Sequence, residues 1–168
     1  MSGSATTRPR LNPRGIRYHP HGVSDFADLG ARLLVIYDGR CGFCNRSVRW
    51  LLRRDRHDRL RFISSESPRV ADLLARHSLA AFDSPASPDT MVVVRNPGTP
   101  AEQIYLRSDA AATLLAELPQ QFLGGIFRLI PRLIRDLGYR FIARIRYRIW
   151  GRYDTCPVPT PAERAHFL

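Results

Sequence analysis

Two cysteines three positions apart are the residues of this chain best suited to chemistry. Cys41 and Cys44 lie in the stretch DGRCGFCNRS, residues 38–47, directly after an apolar run and before a helical pattern. Backbones three residues apart at the start of a helix are about 5 to 6 Å from one another, a separation that a disulfide accepts. The spacing therefore allows the pair to alternate between dithiol and disulfide.

The position of Cys41 favours its thiolate. At the junction of loop and helix its sulfur can take the N-cap site, facing the unpaired amides of Phe43 and Cys44. Such a setting lowers the pKa of a thiol from about 8.5 to roughly 3.5 to 7.5. Cys44 shares an apolar stripe with Val48 and Leu51, whereas Cys41 precedes the helix at a strand end. We therefore expect Cys41 to be the exposed nucleophile and Cys44 the buried resolving thiol.

The residues beside the cysteines have both chemical and structural interpretations. Asp38 can accept hydrogen bonds from loop amides, take protons from Cys44, or only form the turn before Gly39. Gly39 and Gly42 allow the backbone to turn tightly and to approach a partner closely. Arg40 can favour the thiolate electrostatically, although a solvated arginine is the more common arrangement.

The third cysteine, Cys156, lies close to the C-terminus. It is a structural residue, or a third redox partner if this segment folds back over the active site. Three cysteines cannot all pair, which argues against a secreted disulfide scaffold and favours reduced thiols. We therefore expect a cytoplasmic protein, and neither a secretory signal nor a membrane span is evident in the sequence.

Hydrophobic patterns place the cysteines between a strand and a helix. The predicted elements follow the order βαβαββα: residues 32–38, 43–55, 60–64, 68–77, 91–94, 103–107 and 108–118. Strands joined through helices lie parallel, whereas the last two strands form an antiparallel hairpin. This order predicts an α/β fold with a thioredoxin-like core, a mixed four-stranded sheet flanked by helices, followed by extra C-terminal helices to Trp150.

Composition separates a tail from the domain. Residues 1–30 are rich in Pro, Gly, Ser and Arg, a composition that buries little apolar surface, so we predict a flexible tail before a domain at 31–168. The net charge is +11, from 26 basic and 15 acidic residues, and the chain contains no lysine. Coding bias explains this skew most simply. Because the sequence contains no nucleic-acid-binding module, we expect no nucleic-acid partner.

Two other functions remain open from the residues. Thiolates at this spacing also bind zinc or Cu(I), although a closed zinc site needs further ligands from Cys156 or the five histidines. The second alternative is a non-enzymatic adaptor that acts through residues 121–152, where eight arginines accompany a single acid, Asp136. Amphipathic helices of this kind bind anionic membranes, but more often they pack on their own sheet.

The stretch VIYDGRCGFCNRSVRWLLRRD resembles the opening of the DCC family of thiol-disulfide oxidoreductases, marked by Tyr/Phe-Asp-Gly-x-Cys-x-x-Cys. The similarity continues in RFISSES, YLRSDAA, IPRLIRD and RYRIWGRYDTCPVPTPAERAHFL, and it covers residues 32–168. It implies a thioredoxin-like fold and protein-disulfide reductase or general thiol-disulfide exchange activity, with Asp38, Cys41 and Cys44 on the family motif.

The resemblance also sets expectations for cofactors and substrates. We expect no cofactor beyond the dithiol, and a disulfide-containing protein or a small-molecule thiol as substrate. Ordinary thioredoxins place a cis-proline directly before the third core strand, to contact the substrate backbone. Thr90 and Met91 occupy that region here, and Pro88 lies earlier in the chain, so the sequence leaves open whether it has an equivalent proline.

Overall fold

The computed structural model describes residues 26–77, 91–119 and 121–168. The predicted tail up to residue 25 and the region of Thr90 and Pro88 therefore lie outside the described residues. The described residues include 26–30, which precede the predicted domain boundary at residue 31. Phe26 and Leu29 are buried, because a short 3-10 turn at Ala27–Leu29 packs both side chains into the core.

The described residues form four strands and five helices. The strands are β1 Leu33–Tyr37, β2 Leu60–Ser64, β3 Val92–Arg95 and β4 Gln103–Leu106. The helices are α1 Gly42–Leu52, α2 Pro68–Arg76, α3 Arg107–Glu117, α4 Gln121–Leu129 and α5 Arg132–Trp150. The order along the chain is therefore βαβαββα followed by two further helices, as the sequence predicts.

The strands form one mixed sheet in the order β2-β1-β3-β4. β1 and β2 are parallel, with Val35 opposite Phe62, while β3 is antiparallel to both β1 and β4. β1 is central and buried on both faces, which explains its continuous apolar sequence. The predicted thioredoxin-like architecture, a mixed sheet flanked by helices, is confirmed.

Alternate residues of β1 supply two separate cores. Leu33, Val35 and Tyr37 point to the side covered by α1 and α3, whereas Leu34 and Ile36 point to the side covered by α2. This alternation is the pleat of a strand covered on both faces. It fixes the end of β1, and with it the position of the loop that carries the cysteines.

α3 is held to α5 by a polar contact that the sequence did not predict. Serine is a common N-cap residue, but α3 begins at Arg107, with Leu106 at the N-cap position and no side-chain cap. Ser108 is instead fully buried and donates a short hydrogen bond to the Asp136 carboxylate. This contact positions the start of α5 against the domain.

α5 packs on the domain through one narrow face. Ala143 and Arg146 are buried, whereas Leu133 and Leu137 are 82% and 69% exposed. We expected the apolar residues of 121–152 to pack on the domain's own sheet, and this is wrong for most of them. The reason is that α5 extends along the domain with only its Ala143–Arg146 side turned inward. No helix among the described residues is long and apolar enough to span a membrane.

Candidate redox site

Cys41 occupies the N-cap position of α1, as the sequence predicts. Its backbone is extended, with φ −78° and ψ 120°, and its sulfur accepts a hydrogen bond from the backbone N–H of Cys44 at 3.2 Å. Asn45 holds the preceding loop, since its side-chain amide donates to the carbonyl oxygens of Gly39 (2.7 Å) and Cys41 (3.0 Å). The sulfur therefore faces the positive end of the helix.

The two thiols have opposite acidities. All three cysteines of the chain are free, so the structure represents the reduced pair. Hydrogen bonding from Cys44 lowers the pKa of Cys41 from 9.0 to about 7, against the opposing effect of burial. The same hydrogen bond and burial raise the pKa of Cys44 well above its usual range. Near neutral pH about half of Cys41 is therefore thiolate, while Cys44 stays a thiol.

Asp38 organises the loop and binds a buried arginine. Its carboxylate accepts the backbone N–H of Arg40 at 2.9 Å, a short hydrogen bond from the Tyr147 hydroxyl, and a longer contact of 3.4 Å from Arg146. The predicted acceptance of a loop amide is thus confirmed. The Arg146 charge also lowers the pKa of Cys41, while Asp38 raises it.

Arg146 and Tyr147 were missed by the sequence prediction, although a signal was present. Arg146 lies three residues after Ala143 and four before Trp150, so the three share one face of α5. That face is turned inward, whereas Arg140 and Arg144 are exposed. An arginine that shares a helix face with Ala143 and Trp150 therefore indicated a buried partner.

The chain after α5 runs back over the βα junction. We call residues 150–153 the C-terminal return. Gly42 donates its N–H to the carbonyl oxygen of Gly151 (3.2 Å), and Tyr153 donates to that of Arg40 (2.8 Å). Arg152 forms an isolated antiparallel bridge with Cys41. A Cβ on Gly42 would lie 2.2 Å from the carbonyl oxygen of Trp150, so only glycine permits this approach.

The return reverses the expected exposure of the two cysteines. Cys41 is 0% exposed, while Cys44 is half-buried. The expectation of an exposed Cys41 and a more buried Cys44 is therefore wrong. The reason is that residues far along the chain, at the end of α5, lie against the strand end that local sequence predicts to be open.

Cys156 lies beside the loop before Cys41. Its sulfur is 3.8 Å from the hydroxyl of Tyr37, and a Cβ on Gly39 would lie 2.6 Å from it. Gly39 is thus required by the packing of Cys156 and of Ser64, whose hydroxyl would lie 2.9 Å from the same Cβ. The C-terminal segment does fold back beside the motif, and the redox role of Cys156 stays a prediction.

Arg40 points away from the thiols. Its side chain pairs with Glu66 at 2.8 Å, and both side chains are substantially exposed. The structure therefore supports the solvated arrangement of Arg40 rather than a direct effect on the thiolate. Its contribution to the site is made by its backbone, which contacts Asp38 and Tyr153.

A largely apolar cavity of about 750 Å³ opens beside Cys44. Phe43 and Trp50 of α1 line one side, and Met91, before β3, also contributes. The ring of Phe43 packs at 4.8 Å on that of Trp150 at the end of α5. Asp38 and Arg146 supply polar groups to the wall, so the cavity connects Cys44 with the buried ion pair.

Potential metal ligands cluster away from the cysteines. Among the described residues, the one group of three such ligands within 4.8 Å of one another is Asp55, Asp58 and His166. Hydrogen bonding from Arg61 lowers the pKa of Asp58 below its usual range, so this carboxylate already has a cationic partner. The cluster contains no cysteine, and it adds no ligand to the Cys41–Cys44 pair.

A mixed sheet flanked by helices, with a Cys-x-x-Cys pair at the start of its first helix, defines a thioredoxin-like protein. Residues 35–152 match the model of the DCC1-like thiol-disulfide oxidoreductase family, and the chain belongs to that family.

Two curated proteins are similar over most of the chain. The first is an uncharacterized protein, YuxK, of Bacillus subtilis, which is 30% identical over 138 residues, covering 80% of this chain and 93% of the relative. The second is the Arabidopsis thaliana protein named DCC family protein At1g52590, chloroplastic, 29% identical over 136 residues, covering 80% and 74%. No solved structure matches the chain significantly.

Proposed function

We propose that this protein is a thiol-disulfide oxidoreductase that cycles Cys41 and Cys44 between dithiol and disulfide. The observation that carries the proposal is the Cys41 sulfur at the N-cap of α1, 3.2 Å from the Cys44 amide, with a pKa lowered to about 7 by hydrogen bonding from Cys44. Family membership supports a redox role. A thiolate is the species that attacks a disulfide, so a low pKa provides the nucleophile near neutral pH.

The exchange proceeds in two steps. The Cys41 thiolate attacks one sulfur of a substrate disulfide, which breaks the substrate S–S bond and releases one substrate thiolate. Cys44 then loses its proton to solvent or to the released thiolate and attacks the Cys41 sulfur of the mixed disulfide. The second substrate thiol leaves, the substrate has gained two electrons, and the protein holds a Cys41–Cys44 disulfide.

The substrate is a disulfide-containing protein or a small-molecule disulfide or thiol. The cavity beside Cys44 supports substrates that place an apolar group next to the reacting sulfur, because aromatic side chains line it. We propose the cytoplasm as the compartment, since its thiol pools keep free cysteines reduced.

Access to Cys41 requires the C-terminal return to move. The sulfur has no exposed surface, and the backbone that lies against it is held by hydrogen bonds from Gly42 and Tyr153. Opening of this segment therefore precedes attack. The rate at which Cys41 reacts is proportional to its thiolate fraction and to the fraction of molecules in which the return is open.

A trapping experiment tests the roles of the two thiols. In a Cys156→Ser background, 5,5′-dithiobis(2-nitrobenzoate) should release two nitrothiobenzoate anions per protein, because Cys44 resolves the first adduct. With Cys44→Ser added, we expect one anion and one adduct retained on Cys41, located by peptide mass spectrometry. If the Cys41→Ser protein forms its adduct as quickly, the assignment of the nucleophile is wrong.

Backbone variants at Tyr153 test the gating separately. Tyr153→Pro removes the N–H that bonds Arg40, whereas Tyr153→Ala keeps that N–H and removes only the side chain. We expect the proline variant to raise the Cys41 modification rate by about fivefold or more. The reason is that losing one hydrogen bond destabilises the closed return by about 1 kcal/mol. Equal rates in both variants would contradict gating by the return.

A further inference from the structure

We propose that the outer face of α5 docks the protein on an anionic membrane surface. We define this face as the apolar row Leu133, Leu137, Phe141 and Ile149, together with the basic row Arg140, Arg144 and Arg148. The proposal does not depend on the redox chemistry, since none of these residues belongs to the cysteine site.

The apolar part of the face is unusually open to solvent. All large apolar side chains that are exposed in the described residues lie between Phe122 and Ile149, except Tyr153, Val158 and Leu168. On α5 Leu133, Leu137 and Phe141 recur every four residues, and Ile149 follows two such steps later, so the row runs along one side of the helix. The row continues into the α4–α5 junction, where Leu129 is 83% exposed. Contiguous exposed apolar surface of this kind marks an interaction site.

A basic row runs directly beside the apolar row. Arg140, Arg144 and Arg148 also recur every four residues, and each lies three positions after an apolar neighbour, so the two rows are adjacent on the helix surface. All three arginines are exposed. In the parts of the chain that the structure describes, none of them takes part in an ion pair, whereas the inward Arg135 and Arg146 pair with Asp109 and Asp38.

Acidic groups are missing from this side of the helix. The one carboxylate of α4 and α5 belongs to Asp136, whose side chain is largely covered and bonded to Ser108. The partner that complements the face must therefore provide negative charge beside apolar material. The headgroup and acyl layers of an anionic bilayer offer both, and long arginine side chains reach headgroups while the apolar row inserts.

Charge argues against two occupants from the protein itself. Residues 1–25 contain four arginines and one aspartate, so that segment does not complement the basic row. A second copy packed symmetrically on the same face would bring two basic rows together. The straight run from Leu133 to Ile149, about 24 Å at 1.5 Å per residue, instead fits a flat surface.

Docking would bring the redox cavity to the bilayer. Ile134 and Ile142 lie on the other side of the apolar row, are exposed, and also line the cavity beside Cys44. The cavity wall and the docking face are therefore adjacent on α5. A lipid-borne group at the membrane would lie next to the cavity without leaving the apolar phase.

Vesicle flotation of the full-length protein tests the proposal. We expect binding to phosphatidylcholine vesicles with 30% phosphatidylserine, and weak binding to phosphatidylcholine alone. Arg140→Gln/Arg144→Gln/Arg148→Gln should reduce binding to the anionic vesicles by about 100-fold, since each basic residue near the surface contributes roughly a factor of five. The matched control, Arg53→Gln/Arg56→Gln/Arg164→Gln, removes the same charge outside α4 and α5 and should retain binding within about twofold.

A second pair of variants tests the apolar row without changing charge. Leu137→Ser/Phe141→Ser should abolish binding that persists at moderate salt, because insertion of the apolar row is lost. Equal losses in the two arginine triples would show binding by overall charge and would overturn the proposal. The absence of binding to anionic vesicles would also overturn the proposal. So would a stable dimer, measured by light scattering, if the outer-face variants dissociated it. Circular dichroism melts confirm that each variant is folded.

Discussion

The loop and helix start at residues 38–45 and the chain from Arg146 to Tyr153 contribute differently to one site. The first is held by contacts between residues close in sequence, such as the Cys44 amide on the Cys41 sulfur. The second is distant in sequence. Arg146 and Tyr147 donate hydrogen bonds to Asp38, which lies 108 and 109 positions before them. The local part supplies the acidity of Cys41, and the distant part controls its charge environment and exposure.

This difference explains which features the sequence predicts. A helix N-cap is a property of a few adjacent residues, so the sulfur position, the Asp38 turn and the α1 boundary follow from DGRCGFC. The same argument misjudges exposure, because burial of Cys41 depends on where Gly151 lies. The direction of the Cys41 pKa shift can therefore be inferred from the motif, whereas the exposure of the sulfur cannot.

Gly42→Ala should have the largest effect on the contact between the two regions. The new Cβ would lie 2.2 Å from a backbone carbonyl of Trp150, which cannot rotate away, so we expect a loss of about 3 kcal/mol in unfolding free energy or displacement of the return. Denaturant unfolding and the Cys41 modification rate report these two outcomes. Gly138→Ala is the matched control, since its Cβ meets nothing within 4 Å and should stabilise α5 by about 0.5 to 1 kcal/mol. Equal destabilisation by both variants would contradict the close approach.

The pH dependence of stability should report the local region. The pKa of Cys41 is 9.0 when unperturbed and about 7 in the folded protein, so its thiolate stabilises the fold fully above pH 9. This contribution, about 2 to 3 kcal/mol, is lost as the pH falls through 7. Cys44 adds little below pH 9, because there its thiol is protonated in both the folded and the unfolded protein. Above pH 9 only the unfolded chain loses this proton, which lowers stability.

Urea unfolding of reduced protein from pH 6.5 to 9 measures this contribution. The protein with Cys41 should gain stability with rising pH relative to Cys41→Ser, both in a Cys156→Ser background. Parallel curves for the two proteins would show that folding leaves the acidity of Cys41 unchanged.

Arg146→Met should separate the distant charge from the local hydrogen bond. Asp38 would lose its buried cation but keep the amide of Arg40 and the hydroxyl of Tyr147, so we expect a loss of about 2 kcal/mol, less than for a fully isolated buried charge. The pKa of Cys41 should rise, because Arg146 lowers it. Arg144→Met, on the exposed side, should change stability by less than about 0.5 kcal/mol. An unchanged Cys41 titration in Arg146→Met would exclude this electrostatic contribution.

Gly39→Ala should give a smaller effect that a second substitution relieves. Its Cβ would lie 2.6 Å from the Cys156 sulfur, and we expect a loss of about 1 kcal/mol after the side chains adjust. In the double variant with Cys156→Ala, part of this loss should be recovered, giving a measurable coupling energy in a double-mutant cycle. Strictly additive losses would mean that the C-terminal segment does not rest on Gly39.

The fold itself was predictable to a larger extent than the site. The apolar run of β1 and the helical stripe of α1 carry their own periodicity, and parallel or antiparallel pairing follows from the connections. The placement of α5 does not follow, because its outward row is as apolar as a buried one. Leu137 is exposed and Ala143 is buried because only Ala143 is covered by other parts of the fold. Those parts are distant in sequence, so the pattern of α5 itself does not predict the difference.

The pH profile of alkylation at individual cysteines tests the central claim most directly. Iodoacetamide labelling of reduced Cys156→Ser protein, with each site quantified by peptide mass spectrometry, gives the apparent pKa of both thiols. The account predicts a midpoint near pH 7 for Cys41 and almost no labelling of Cys44 below pH 9. A midpoint near 9 for Cys41, or faster labelling of Cys44 at neutral pH, would contradict it.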